Sequence, residues 1–239
     1  MNIQPNQYSP VEAATIKPLH PQLTPQVSTH NTLMPLLVSL KNWTNTWVNK
    51  QGLSLYVLAV VCLLLAPWSE LGMDVFSMDR SALKEGEIWR LWTGQLVHSS
   101  WAHLWLNLIG LAVLQQIFGD ELTPVTWLWG FAVISLVVGV CWLAFGDVSW
   151  LSFASRDYVV GLSALLHGLF AYGACLAMRR DALLAAGALL IIGGKVVWEQ
   201  INGPSEFTSG LIDIPVASDV HLYGFIGGLL LGVAMTARR

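Results

Sequence analysis

Residues 159–168 read VVGLSALLHG. An apolar run here carries a serine, Ser163, and a histidine, His167, one helical turn apart and bracketed by two glycines. In a membrane span, a hydroxyl and an imidazole either satisfy a helix contact or do chemistry. The remainder of the chain has to decide between the two.

The composition places this run in a bilayer. Of 239 residues, 54% are hydrophobic and only 11% charged, against about a quarter charged in soluble domains. Mean hydropathy is +0.57. The net charge of −3 gives no footing for nucleic-acid binding. Twelve tryptophans suit a protein with two membrane interfaces, where amphipathic rings collect. Cys62, Cys141 and Cys175 all lie in apolar runs and read as small buried hydrophobes, not as a disulfide or metal framework. Residues 1–50 are polar, rich in Pro, Gln, Thr and Asn, and show no signal-peptide pattern. They are expected to form a largely irregular cytoplasmic arm, followed by a membrane domain over 51–239.

A span needs about 20 mostly apolar residues. Six candidates follow, near 53–68, 101–118, 125–145, 158–178, 182–201 and 215–236. The chain therefore reads as an all-α, six-helix membrane bundle. Lys17, Lys41, Lys50, Arg179, Arg180, Arg238 and Arg239 fall on one side of such a bundle. Arg80, Lys84, Arg90 and Arg156 fall on the other, diluted by acidic residues. The positive-inside rule then puts both termini in the cytoplasm and the loops 69–100, 146–157 and 202–214 outside. The cytoplasmic loop with Asp120 and Glu121 holds no basic residue of its own.

Spans two, four and six all begin at the outer face, and each carries polar residues near its start. His98 precedes span two, which then holds His103 and Asn107; span four holds Ser163 and His167; span six holds His221. Three distant parts of the sequence thus share one depth. Residues four apart on a helix differ by about 40° and share a face, so His103 and Asn107 point together, as do Ser163 and His167, and Gly224 and Gly228. Any one of these is ordinary helix packing, for which serine and glycine are common choices. Together, at one depth, they are costly enough to mark a site.

A serine needs a base to become a nucleophile, and a neutral imidazole is the usual one. Asparagine and histidine N–H groups can hold a developing oxyanion. Gly161 permits an unusual backbone angle just before the serine, and the Gly224/Gly228 pair lets span six approach a neighbour closely enough to bring His221 beside Ser163. A metal site is disfavoured. His98 and His103 stand about 140° apart around a helix, no His-Glu-x-x-His run occurs, and no carboxylate is spaced to join the histidines. Asp219 lies two residues from His221, on the other side of a helix, so a Ser–His dyad without an acid is expected, with no cofactor.

These residues resemble the rhomboid family of intramembrane serine proteases over about residues 51–239. Glu-Ile-Trp-Arg (87–90) is similar to the family's Trp-Arg element; HSSWAHLWLN (98–107) to its His-x-x-x-Asn segment; Gly-Leu-Ser-Ala (161–164) to Gly-x-Ser-Gly; and HLYGFIGG (221–228) to His-x-x-Gly-x-x-x-Gly. The resemblance implies that Ser163 is the nucleophile and His221 its base. It implies that His103 and Asn107 stabilise the oxyanion, that His98 supports span two, and that Trp89 and Arg90 hold the first loop against the core. Ala164 departs from the usual glycine, and His167 stands where many members carry a tyrosine that packs on the catalytic histidine.

With GLSxxLHG, Trp198-Glu199-Gln200 and HLYG, the chain resembles rhombosortases in particular. That implies a membrane-anchored protein substrate with a C-terminal Gly-Gly anchor segment, and residence in the bacterial inner membrane. A general rhomboid protease and a non-catalytic rhomboid-like scaffold are the alternatives, although degenerate scaffolds would be expected to lack the serine or the histidine. Lys195 and Glu199, four apart in span five, read either as an ion pair snorkelling to water or as substrate contacts.

Overall fold

The chain divides into two units, Met1–Trp43 and Thr44–Arg239. A computed structural model describes Met1 and residues 53–146, 157–212 and 214–237. The polar arm expected over 1–50 lies outside the described residues, as do Arg156, Arg238, Arg239 and the rest of the 147–156 loop.

Six apolar helices follow in the expected order. They are α1 (Leu53–Leu65), α5 (Trp101–Phe118), α6 (Pro124–Phe145), α7 (Ser163–Ala177), α8 (Ala182–Asn202) and α10 (Ser218–Ala237). Four of them, α5, α6, α8 and α10, are long and apolar enough to cross a membrane by themselves. Their starts are chemically marked. Ser100 caps α5 by accepting from the His103 N–H, Thr123 caps α6 with Pro124 in its first turn, and Asp181 caps α8 by accepting from Leu184 N–H. Each supplies a side-chain oxygen to a helix N–H that has no partner within the helix.

The fourth apolar run is shorter as a helix than its hydropathy suggests. Tyr158 and Val159 are extended, as β2, and pair antiparallel with β1, Met78–Asp79. Gly161 has a φ of +99°, and the helix begins only at Ser163. Fifteen residues span about 22 Å, short of the roughly 30 Å of a hydrocarbon core. Arg179 and Arg180 lie just past its far end, and the helix falls roughly 8 Å short of that thickness.

Helix α7 is the hub. Ala164–Leu169 and Ala171–Ala177 are all buried, as befits a helix that is apolar all round. It packs most extensively on α10. At that contact Gly224 lies against the Ala164 carbonyl oxygen and Gly228 against the Gly168 carbonyl oxygen, with no room for a Cβ at either. The close approach expected of the Gly-x-x-x-Gly face is thus realised, and its partner is the serine-bearing helix. By contrast α8 is peripheral, burying Ala185, Val196 and Glu199 while Leu183, Leu190, Ile191, Val197 and Ile201 face outward. In lipid such an apolar exterior is the expected solvent contact.

The two ends of the bundle differ. At one, Arg180 after α7 pairs with Asp120 (3.2 Å) and Glu121 (3.0 Å) between α5 and α6. The acidic loop therefore gets its cation from another loop at the same end. At the other end the segment before α5 is not irregular: it folds into α2 (Ser69–Phe76), β1, α3 (Arg80–Lys84) and α4 (Arg90–Thr93). Arg90 is buried and organises this segment. Its guanidinium bonds Glu87 Oε2 (2.6 Å), the Ser77 carbonyl (3.0 Å) and the Asp74 carbonyl (2.8 Å).

Trp89, at the N-cap of α4, is 48% exposed, whereas Leu91 on the other side of Arg90 is buried with it. Trp92 ties the segment to the bundle, donating its indole N–H to the Ala132 carbonyl of α6 (3.0 Å). Cys62, Cys141 and Cys175 are free thiols.

Candidate active site

The unusual start of α7 puts Ser163 at the first position of a helix, after a glycine that only a residue without Cβ fills comfortably. Gly161 N–H donates to the Gly94 carbonyl (2.9 Å), which ties the turn to the segment before α5. A Cβ on Gly161 would collide with the His103 ring and would stand 3.3 Å from Asn107 Nδ2. So His103 and Asn107, on one face of α5, both converge on the turn that presents the serine. Asn107 Nδ2 is buried and finds no hydrogen-bond partner among the described residues, although Asn107 and Ser163 line the same cavity. That cavity measures about 240 Å³ and is otherwise walled mainly by Leu106, Leu166, Phe170 and Ile192.

From α10, His221 brings Nε2 to 3.0 Å from Ser163 Oγ. Its other nitrogen, Nδ1, lies 2.8 Å from Glu199 Oε2 on α8. A carboxylate can only accept, so Nδ1 carries the proton and Nε2 is left to accept from the serine hydroxyl. The contact corrects the expectation that no carboxylate joins the histidines. The carboxylate comes from another helix, where spacing along one sequence cannot show it.

His167 lies parallel to His221, with ring centroids 4.3 Å apart and planes at 15°. Its Nε2 is 3.0 Å from Lys195 Nζ, and its Nδ1 is 2.6 Å from the Ser163 carbonyl oxygen. An ammonium can only donate, so the His167 proton is on Nδ1 and is given to that carbonyl. Lys195 also pairs with Glu199 Oε1 at 2.6 Å.

The expected ion pair therefore exists, but it does not turn toward water at its acidic end, since the Glu199 side chain is 9% exposed and that of Lys195 46%. His167, Glu199 and His221 each offer a ligand atom within 4.8 Å of the others, the best metal-like cluster among the described residues. Lys195 Nζ already bonds two of its three members, so a metal ion would have to displace an ammonium.

His98 stands edge-on to His103, centroids 5.0 Å apart at 74°. It is buried beside the site without reaching Ser163 in any described contact. Ser99 Oγ is 3.1 Å from His103 Nδ1 and 3.0 Å from the Ile212 carbonyl at the end of α9 (Glu206–Ile212). Gln200 donates to the Ser218 carbonyl (2.7 Å) and pins α8 to the start of the histidine-bearing helix. Of the Trp198-Glu199-Gln200 run, Trp198 alone faces outward, 63% exposed. The Ile212 and Ser218 carbonyls that Ser99 and Gln200 reach leave no residue-type pattern in the sequence, whereas the four-residue spacing of Ser99 and His103 is a signal that the sequence does carry.

The profile of the Rhomboid domain matches residues 85–238, well over half of the chain. This protein accordingly belongs to the rhomboid family of intramembrane proteases, and is an integral membrane protein whose partners in that class are membrane-protein substrates. None of the curated proteins compared with it matches.

Proposed function

We propose that this protein is a serine endopeptidase of the rhombosortase type, acting on membrane-anchored proteins that end in a Gly-Gly anchor segment, in the bacterial inner membrane. The observation that carries the catalytic part is the 3.0 Å contact of His221 Nε2 with Ser163 Oγ, between helices whose residues are 58 positions apart. As the substrate carbonyl arrives, Ser163 Oγ attacks its carbon and the hydroxyl proton passes to His221 Nε2. The oxyanion that forms is held by Asn107, whose Nδ2 has no partner among the described residues, with His103 and the N–H groups at the start of α7. Collapse breaks the C–N bond. The leaving amine takes the proton from His221, and the acyl group remains on Ser163 as an ester. Water or another nucleophile then attacks the ester and gives its proton to His221; as the C–O bond to Ser163 breaks, the serine oxygen takes that proton back and the acyl group leaves as the acid or the transfer product.

Depth fits the substrate. A nucleophile at the start of a helix roughly 8 Å shorter than the hydrocarbon core reaches a peptide bond only if the substrate helix unwinds, and glycines lower that cost. The small, largely apolar cavity at Ser163 suits residues with little or no side chain. The narrower assignment rests on GLSALLHG, Trp-Glu-Gln and HLYG, three stretches whose His167 and Glu199 both contact His221. Purified protein in detergent is expected to react with a fluorophosphonate. Labelling should vanish in Ser163→Ala and in His221→Ala; labelling that survives Ser163→Ala would show the nucleophile to be elsewhere. Cleavage of a Gly-Gly-tailed substrate but not of one with the glycines changed to leucine supports the narrower assignment, and equal cleavage of both sinks it.

A further inference from the structure

The mechanism just given, on which this inference rests, uses neither Lys195 nor Glu199. Both sit in the apolar helix α8, where a charge is expensive and the cheap solution is to reach for water. Glu199 does the reverse. Its carboxylate is buried and its two oxygens serve different partners: Oε2 accepts from His221 Nδ1–H and Oε1 from Lys195. Lys195 donates again to His167 Nε2, and His167 stacks on His221 and donates to the Ser163 carbonyl. The hydrogen bonds form a closed circuit, Ser163–His221–Glu199–Lys195–His167 and back to Ser163. One assignment of protons satisfies every member of it, so the buried His167, Glu199 and His221 are all paired.

We infer that Glu199 is a positioning residue for His221, fixing its ring orientation and its Nδ1–H tautomer, and that Lys195 locks Glu199 and His167 around it. The consequence for the reaction is specific. An imidazole held only by stacking can turn about its Cβ–Cγ bond and present the wrong nitrogen. With Nδ1–H committed to a carboxylate, Nε2 faces the serine as an acceptor. When the serine proton arrives, the imidazolium forms beside an anion already in place instead of as an uncompensated buried charge. Lys195 keeps that anion from being an unpaired charge in the resting protein. Gln200, held to the Ser218 carbonyl, fixes the register of α8 that brings Glu199 to His221.

The test uses the full chain in detergent micelles and two readouts. The first is fluorophosphonate labelling, separated into the maximal rate and the inhibitor concentration at half-maximal rate. Glu199→Gln should cut the maximal rate by about tenfold or more with little change in half-saturation, and Glu199→Asp, which keeps the charge, should recover part of it. Lys195→Met should give a smaller loss of the same kind. The second readout does not depend on activity: the Nδ1–H proton of His221 in protein labelled with nitrogen-15 histidine, assigned by its loss in His221→Ala. It should appear far downfield in the wild type and in Ser163→Ala, and move upfield in Glu199→Gln. Absence of that resonance from the wild type, an unmoved resonance in Glu199→Gln, or an unchanged maximal labelling rate in a folded Glu199→Gln each overturns the inference. A wild-type chain that fails to label refutes the hydrolase reading instead, and the resonance still decides the place of Glu199.

Discussion

His167 lies flat against His221, with ring centroids 4.3 Å apart and planes 15° from parallel. The stacked ring is more than a packing partner, because its two nitrogens are both engaged, with Lys195 and with the Ser163 carbonyl. The stack and the hydrogen bonds can be separated by substitution. His167→Tyr keeps an aromatic face and loses the acceptor for Lys195, whereas His167→Ala loses both. An aromatic pair is worth about 0.5–1.5 kcal/mol, which is roughly twofold to tenfold in rate. His167→Tyr is expected to retain a reduced but measurable labelling rate, and His167→Ala to fall about tenfold further. Equal rates in wild type and His167→Tyr would mean that the stack alone matters.

Asn107 and His103 share a face of α5 but do not start equal. The Asn107 Nδ2 is buried and has no partner among the described residues. His103 Nδ1 faces Ser99 Oγ, whose single proton is also within reach of the Ile212 carbonyl. Only when Ser99 donates to His103 is the far nitrogen, Nε2, an N–H donor. Removing a dedicated oxyanion donor costs about a hundredfold to a thousandfold. Asn107→Ala is expected in that range for peptide cleavage, His103→Ala below it, and Ser99→Ala to reproduce part of the His103→Ala loss. Cleavage rates of a single peptide substrate across the three variants check the order.

Much of this site was legible before any coordinates, and the parts that were not have physical reasons. The depth of Ser163, His221 and His103 follows from hydropathy and the alternation of span direction. The approach of α10 to α7 follows from Gly224 and Gly228, whose spacing leaves a smooth face. The start of α7 was placed too early because Val159 and Val160 are as apolar as any helix residue; only β-sheet pairing with Met78 and the positive φ of Gly161 separate strand from helix. The Lys195–Glu199 pair is legible because periodicity reports neighbours on the same helix; the contact of the second Glu199 oxygen with His221 crosses to another helix and is not. Helix α8 is apolar on most sides, so nothing in its pattern says which face turns to α10. The buried charge itself was the available signal: an anion in an apolar span needs a partner, and a lysine half exposed to the outside serves only one of its oxygens.

Gly161 and Gly86 offer a matched pair, since both have a φ near +100°, at +99° and +98°. A Cβ on Gly86 meets nothing within 4 Å, whereas one on Gly161 collides with the His103 ring. Holding a residue with Cβ at such an angle costs on the order of 1–3 kcal/mol. Gly86→Ala is expected to lower the melting temperature in detergent by that strain alone and to leave labelling intact. Gly161→Ala should add displacement of His103 and of the serine turn, and lose labelling by more than about tenfold. Parallel melting curves and labelling rates decide it, and equal labelling in the two variants would mean the turn is not tuned to His103.

The contact between α7 and α10 sets the Ser163–His221 distance, so its glycines should govern activity as well as stability. A methyl group at Gly224 would run into the Ala164 carbonyl, one residue past the nucleophile, and at Gly228 into the Gly168 carbonyl one turn deeper. Neither obstacle is a flexible side chain, so the helices themselves must move apart. Overpacking of this kind costs about 1–3 kcal/mol. Gly187 on α8 has open space where its Cβ would stand, and Gly187→Ala should instead stabilise by about 0.5–1 kcal/mol through helix propensity. Both Gly224→Ala and Gly228→Ala are expected to lower the melting temperature. Gly224→Ala should lose more labelling than Gly228→Ala, because the separation it forces lies at the level of Ser163. If Gly228→Ala proved the more damaging to labelling at equal stability, the geometry of the serine and histidine would have to be set by the deeper contact instead.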